Sequence, residues 1–242
     1  MHSSTLDLRI ASIFVILFGA SVFGLLTLRF RSADAVFPRL LRAFSGGIIL
    51  ALALVHIIPE AVADLNSLMH FPIGGCTILF GIISLCVTAY TMELGCIFHS
   101  VIIGVGVGVI TQDRQLVTTL MIALAIHQGL EALALGSVLA LTSFSLPKKV
   151  VMLLLYSMTT PIGIAVGIAI SSSYDPESIT SRAVQGTLNG VSGGMLLYIA
   201  MFQLIAEEFS REDMLVRPGL RLGMYGALCA GAAVMCILGI WS

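Results

Sequence analysis

Two histidines and a glutamate stand out because they lie inside long apolar stretches, where ionisable side chains are costly. His127 and Glu131 are four residues apart, so on a helix they share one face and lie one turn apart. His99 lies in the preceding apolar stretch. A charge at the centre of a membrane helix costs about 2.5 to 3.5 kcal/mol, which makes such residues functional candidates by default. Two imidazoles and one carboxylate suit Zn2+, Fe2+ or a similar divalent metal.

Polar neighbours extend this candidate site. Ser100 and Gln128 directly follow the two histidines, and we include both in the predicted metal site. His99 lies 12 residues before the polar segment 111–114, and His127 lies 13 residues after it. At 1.5 Å per helical residue, both histidines are about 18 to 20 Å below the ends of their helices. The spacing therefore predicts that they lie level on adjacent antiparallel helices.

The amino-acid composition is that of a membrane protein, so the candidate residues would be held by transmembrane helices. Of the 242 residues, 58% are hydrophobic and 10% are charged, with a mean hydropathy of +1.05, against about 45 to 50% apolar residues in globular proteins. The net charge of −1 and the lack of a basic patch argue against a nucleic-acid partner. The five cysteines show no CxxC spacing, so we expect no disulfide framework.

The apolar stretches predict an all-α, polytopic fold of eight transmembrane helices in a single domain, 1–242. Residues 73–111 would form a helix of about 58 Å, nearly twice the bilayer core, so a tight turn is expected at Ala89 to Glu93. Nine Lys and Arg residues fall on one side and three on the other, which places both termini on the extracellular or lumenal face of a plasma or organelle membrane. The predicted spans are 8–30, 43–64, 73–89, 92–111, 115–141, 150–172, 184–208 and 219–240.

An internal repeat relates the second and seventh spans. At an offset of 147 their Ser-Gly-Gly motifs superpose, His56 aligns with Gln203, and Glu60 aligns with Glu207. The two spans cross in opposite directions, as an inverted repeat of helices 1–3 and 6–8 around the central pair 4–5 requires. We therefore predict that His56 and Glu60 line the outer approach to the metal and that Gln203 and Glu207 line the inner exit. The alternative is that Glu207 and Glu208 are simply solvated at a helix end, and of the two Glu208 is the more peripheral.

Prolines and small residues predict local features of these helices. Pro59 is expected to kink the second span, and Pro161 to break the sixth at the depth of the metal site. Glycines at 104, 106 and 108, and small residues at 129, 132 and 136, predict close helix packing by the two helices that carry the site.

The segments around the site resemble a known family. MELGCIFHSVIIGVGVGV and AIHQGLEALALGS resemble the fourth and fifth helices of the ZIP (Zrt/Irt-like) metal transporters, whose signatures read approximately HSxxIGxxLG and HxxxEGxxLG. The likeness continues through YSMTTPIGIAVG and SGGMLLYIAMFQLIAEEF. The resemblance implies eight helices, both termini outside, and a divalent-metal site between helices four and five with His99, His127 and Glu131 as ligands.

Some positions depart from the family pattern. Some members hold two metals with an Asn, a Glu and an Asp at the positions that are here Ser100, Ile103 and Gln128, so a full second site is not expected. Ala132 replaces the usual Gly after the ligand glutamate, and the long histidine-rich loop between helices three and four is absent.

The leading hypothesis is a carrier that moves Zn2+, or next Fe2+, toward the cytosol by alternating exposure of the midplane site, with Mn2+, Co2+ and Cd2+ left open. The alternative is a membrane-embedded metal-dependent hydrolase with Glu131 as base, although no HExxH arrangement is present. A third reading treats the polar residues as hydrogen-bonding contacts between helices, which a midplane glutamate argues against. The expected partners are the cation and the bilayer, with a homodimer left open and no resident cofactor expected.

Overall fold

The chain folds into helices throughout the part that can be described. The computed structural model describes residues 2–29, 35–68, 72–87, 92–111, 114–140, 142–173, 175 and 178–239. In these residues all regular structure is helical, which confirms the all-α prediction. The turn predicted at Ala89 to Glu93 falls largely on residues 88–91, which lie outside the described residues. The helices are α1 His2–Thr27, α2 Val36–Asn66, α3 Ile73–Val87, α4 Met92–Val109, α5 Arg114–Leu139, α6 Leu146–Ile170, α7 Ile179–Phe209 and α8 Pro218–Leu238, with a short helix Asp213–Val216 before α8.

The helices carry the surface of a membrane protein. Six of them, α1, α2, α5, α6, α7 and α8, are long and apolar enough to cross a bilayer. The fully described apolar parts of α3 and α4 are shorter, at Ile73–Ser84 and Cys96–Val109. Large apolar side chains point outward, such as Phe18, which is 72% exposed, whereas polar groups are buried inside. The chain is thus an integral, multi-pass membrane protein.

The helices pack in two groups of four. In the first group α1 lies along α5 and α6, and α4 lies along α6. In the second group α2 lies along α8 and α7, and α3 lies along α7. Contacts of α4 with α7 and of α5 with α2 join the groups. The two helices that carry the candidate ligands, α4 and α5, therefore both contact long helices of the second group.

Glycines determine how closely α4 and α6 approach each other. A Cβ at Gly104 would overlap the carbonyl oxygen of Thr160, and a Cβ at Gly167 would overlap that of Val105. Such small residues permit close backbone contact between membrane helices. Gly104 and Gly108 of α4 thus face α6 and not α5, whereas Gly106 lines the cavity described below, and a Cβ there would meet nothing within 4 Å.

The small residues of α5 face α1. A Cβ at Gly136 would overlap the Thr27 hydroxyl, and Gly129 lies against the Phe23 ring. Ala132 is fully buried, and its methyl group faces Gly24 of α1. Each ligand-bearing helix is therefore held by a different neighbour.

Two helices contain a wider, π-helical segment. In α2 it spans Leu52–Ile57, and in α7 it spans Ile199–Ala206, so the two segments begin 147 positions apart. The predicted interruption at Pro59 is thus a π-helical segment just before the proline, after which α2 continues as α-helix. Because α7 forms the same π-helical feature with no proline, the equivalent positions of the two segments in the helix bundle explain the feature better than Pro59 does.

The sixth helix corrects one expectation. Although Pro161 was expected to break it, α6 is one continuous helix, Leu146–Ile170. Proline is tolerated in membrane helices whose neighbours support the backbone. Here Gly163 and Gly167 bring the α4 backbone against α6 immediately after the proline.

A buried ionic cluster joins the start of α2 to the end of α7. Arg39 Nε lies 3.1 Å from Glu208 Oε2, and Arg42 forms a second ion pair with the same carboxylate. Arg39 also binds Asp213, and its donated hydrogen bond lowers the pKa of that carboxyl group. Glu208 is only 2% exposed, so the alternative of a solvated carboxylate at the helix end does not hold for this residue. A positive charge on each of two α2 residues makes its burial tolerable.

The opposite ends of α2 and α7 also meet. Arg182 near the start of α7 lies 3.8 Å from Asp64 near the end of α2. The helices are therefore antiparallel, with His56 and Glu60 toward one end of the bundle and Glu207 at the other.

Candidate metal site

Three candidate ligands converge between α4 and α5. Potential ligand atoms of His99, His127 and Glu131 all lie within 4.8 Å of one another. Glu131 Oε1 lies 3.9 Å from His99 Nε2 and 3.7 Å from His127 Nε2. The two imidazole rings are level, with centroids 5.7 Å apart. One turn of α5 supplies two of the ligands, and α4 supplies the third.

Four atoms of the candidate ligands lack hydrogen-bond partners among the described residues. Both ring nitrogens of His99, Nε2 of His127 and Oε1 of Glu131 are buried without a partner in the described part of the chain. Glu131 is fully buried, and the two histidines are almost so. Each buried polar atom without a partner costs about 1 to 3 kcal/mol. A divalent cation would satisfy several of these atoms together, so the donor set fits Zn2+ or Fe2+.

A hydrogen-bond network supports the glutamate from the side of α6. The Tyr156 hydroxyl lies 2.6 Å from Glu131 Oε2 and 2.9 Å from Gln128 Oε1. Ser100 Oγ donates to the same Gln128 oxygen at 3.3 Å. Ser100 and Gln128, which were predicted as site residues, are thus adjacent to the ligands but bonded within this network.

Tyr156 is the site residue that sequence reasoning missed. It lies five residues before Pro161 in the YSMTTP segment, which had been placed at the depth of the histidines. That depth was the available signal. Cys96, one turn before His99, is buried in the hydrophobic core and is not part of the ligand cluster.

A cavity of about 520 Å3 reaches the ligands from one end of the bundle. Its walls include His99 and His127 at the depth of the ligands, and His56 and Glu60 from α2. The His56 ring is edge-on to that of His127, with centroids 6.2 Å apart, and Glu60 is exposed. These are the residues predicted for the outer approach, and they lie along the cavity that leads to the ligands.

The two residues predicted for the inner exit lie elsewhere. Gln203 is half-buried and Glu207 is exposed. Leu204 and Ile205, which follow Gln203 in α7, pack against Gly46 in the first half of α2. Neither Gln203 nor Glu207 lines the cavity that contains His56. The buried carboxylate at that end of α7 is Glu208.

Comparison with known proteins agrees with this arrangement. Residues 84–239 match the family described as "ZIP Zinc transporter", and this range includes all three candidate ligands. The chain belongs to the ZIP zinc transporter family. Its ZIP relatives include Zinc transporter 3 of Arabidopsis thaliana, which is 32% identical over 90% of this chain and 81% of its own length. Zinc transporter 5 of Oryza sativa subsp. japonica is 29% identical over 99% of this chain and 88% of its own.

Other ZIP relatives match over a shorter range. Zinc transporter 8 of Oryza sativa subsp. japonica is 39% identical over 156 residues, which are 64% of this chain but only 40% of that protein. The chain therefore spans less than half of the length of some relatives and more than four fifths of others.

Proposed function

We propose that this chain is a carrier of divalent metal, Zn2+ first and Fe2+ next, and moves the cation toward the cytosol through the site formed by His99, His127 and Glu131. The observation that carries the proposal is a buried set of unpaired nitrogen and oxygen donors at the inner end of a cavity in a multi-pass membrane protein. Membership of the ZIP family and relatives named zinc transporters support Zn2+ as the first candidate.

The proposed topology has eight membrane crossings, with α3 and α4 included and both termini on the outer or lumenal side. Helices α1–α3 and α6–α8 form an inverted repeat around α4 and α5. The Ser-Gly-Gly motifs and the π-helical segments support this because both pairs are related by the same offset of 147. Packing supports it too, since Gly47 of α2 contacts α8 while Gly194 of α7 contacts α3.

The repeat suggests how access could alternate. In this structure the cavity reaches the ligands along α2, past His56 and Glu60. At the other end, the ionic cluster around Glu208 holds α2 and α7 together. Under the repeat, Gln203 and Glu207 occupy the positions on α7 that match His56 and Glu60. We propose that a second state opens a path past them to the cytosol.

A metal-dependent hydrolase is the weaker candidate. Its base would need a carboxylate that is free to take a proton from a metal-bound water. Here Glu131 Oε2 accepts a hydrogen bond from Tyr156 and Oε1 faces the two histidines. The glutamate is therefore better placed to bind a cation than to act as a base.

Metal uptake by proteoliposomes tests this function. The purified full chain is compared with protein-free liposomes in a panel of Zn2+, Fe2+, Mn2+, Co2+ and Cd2+, with and without a pH gradient. We expect saturable uptake, largest for Zn2+, which Glu131→Ala abolishes because the site loses its only anionic ligand. Glu212→Ala removes an exposed carboxylate outside the site and should leave uptake unchanged. Normal Zn2+ uptake by purified Glu131→Ala would refute the proposal.

A further inference from the structure

The carboxylate of Glu131 has two chemically different oxygens in this structure. Oε2 accepts a hydrogen bond from the Tyr156 hydroxyl at 2.6 Å. Oε1 has no hydrogen-bond partner in the described part of the chain and faces Nε2 of both histidines. The network therefore leaves one oxygen directed at the imidazoles.

The bond from Tyr156 is well protected from competition. The tyrosine is 1% exposed and Glu131 is 0% exposed, so bulk water does not compete for either group. A phenol has one hydrogen, and although Gln128 Oε1 is also within reach at 2.9 Å, an ionised carboxylate is the stronger acceptor. Hydrogen bonds from outside the ligand shell commonly orient metal-binding carboxylates in this way.

The orientation of the carboxylate has consequences for the choice of metal. The Tyr156 hydrogen bond occupies one of the two lone pairs of Oε2 and draws on its negative charge, so Oε2 is the weaker ligand and Oε1 is the oxygen offered first to a cation. Zn2+ is satisfied by four ligands in a tetrahedron, so two imidazole nitrogens and one carboxylate oxygen supply most of its shell. Mn2+ favours six ligands that are mostly oxygens, for which a carboxylate that binds through both oxygens is more favourable.

We propose that Tyr156 is a positioning residue that determines metal specificity, an inference that rests on the proposed function of the site. By holding Oε2, Tyr156 makes Glu131 bind mainly through Oε1 and favours Zn2+ over cations that take more oxygen ligands. Loss of the hydroxyl frees Oε2, which weakens the ordered Zn2+ site and improves the one available to Mn2+.

The test compares metal affinities of four full-length proteins in detergent by isothermal titration calorimetry. The proteins are the wild type, Tyr156→Phe, Tyr225→Phe and Glu131→Gln. Tyr225 provides the matched control because it loses the same hydroxyl from a 51% exposed ring that packs on Phe209. Each protein is titrated with Zn2+ and with Mn2+.

We expect Tyr156→Phe to raise the Kd for Zn2+ by about 10- to 100-fold, the usual effect of losing a partner of a metal ligand. Its Kd for Mn2+ should stay the same or fall, whereas Tyr225→Phe should resemble the wild type for both metals. The specificity role would be overturned if the ratio of the Kd for Mn2+ to the Kd for Zn2+ were the same in Tyr156→Phe as in the wild type. Equal weakening of the binding of both metals is one such result.

Two further results separate this inference from the function on which it rests. If Glu131→Gln binds Zn2+ as the wild type does, the metal site itself is refuted. If only Glu131→Gln loses binding, the site stands and the role of Tyr156 fails. X-ray absorption at the zinc edge of the wild-type complex needs no variant: a single carboxylate oxygen supports the inference, and a carboxylate bound through both oxygens overturns it.

Discussion

The two candidate imidazole ligands must be neutral to bind a metal, which makes the site sensitive to protons. A protonated imidazole cannot donate to a cation, so a proton must leave each ring nitrogen before that nitrogen can bind metal. Both histidines line the cavity that leads to the site. Protons and metal should therefore compete at the same nitrogens.

The resulting prediction is that Zn2+ uptake falls as the external medium drops below about pH 6. The measurement is the initial rate of uptake into proteoliposomes with equal pH on both sides, so that no proton gradient contributes. Uptake at saturating Zn2+ should fall less than uptake at limiting Zn2+, because metal competes with protons. A rate at limiting Zn2+ that does not fall at any acid pH at which the protein remains folded would count against histidine ligands.

Sequence reasoning worked at the residue scale where spacing carries the information. His127 and Glu131 share a helix face by virtue of their separation, and the common depth of His99 predicted the ring contact that the structure shows. Tyr156 has no such signature, because an aromatic residue in an apolar helix is most often part of the core. Only the packing of α6 beside α5 shows that its hydroxyl reaches Glu131.

At the scale of helices, hydropathy located the eight long helices of the described residues, with ends up to seven residues from those predicted, but it did not identify their neighbours. Small residues on α4 and α5 correctly predicted close packing at four of the five glycines, Gly106 being the exception. They could not indicate that α4 packs on α6 and α5 on α1, because a glycine permits a close approach without selecting the partner. The π-helical segments were also missed, since the repeat was visible in sequence but its local helical geometry was not.

The ionic cluster between α2 and α7 supports a prediction about stability. Glu208→Gln removes the negative charge that both arginines contact, and an uncompensated buried charge typically costs about 3 to 5 kcal/mol. We expect a clearly lower midpoint of thermal unfolding for the detergent-solubilised protein. The adjacent Glu207→Gln is the matched control because that side chain is exposed, and it should change the free energy of unfolding by no more than about 0.5 kcal/mol. Equal midpoints for both variants would show that the cluster does not stabilise the fold.

At the scale of the whole molecule, we propose two related halves that share one central site. The α2 helix begins where α7 ends, and α2 ends where α7 begins. The present cavity opens along α2 past His56 and Glu60. The repeat therefore predicts that a cation leaves along α7, at the opposite end of the bundle.

Thiol labelling from each side of the membrane tests this claim most directly. In a background without the five native cysteines, single cysteines are introduced as His56→Cys, Glu60→Cys, Gln203→Cys and Glu207→Cys. Glu212→Cys is the control, since this exposed residue lies outside the cavity and the repeat and should be labelled from the cytosolic side with or without metal. The measurement is the rate of reaction with an impermeant thiol reagent on each face.

We predict that positions 56 and 60 react only with external reagent and that positions 203 and 207 react only with cytosolic reagent. Saturating Zn2+ should change the rates at both pairs while leaving position 212 unchanged, because binding shifts the balance between the two states. Labelling of positions 56 and 207 from the same side would contradict both the topology and the inverted repeat.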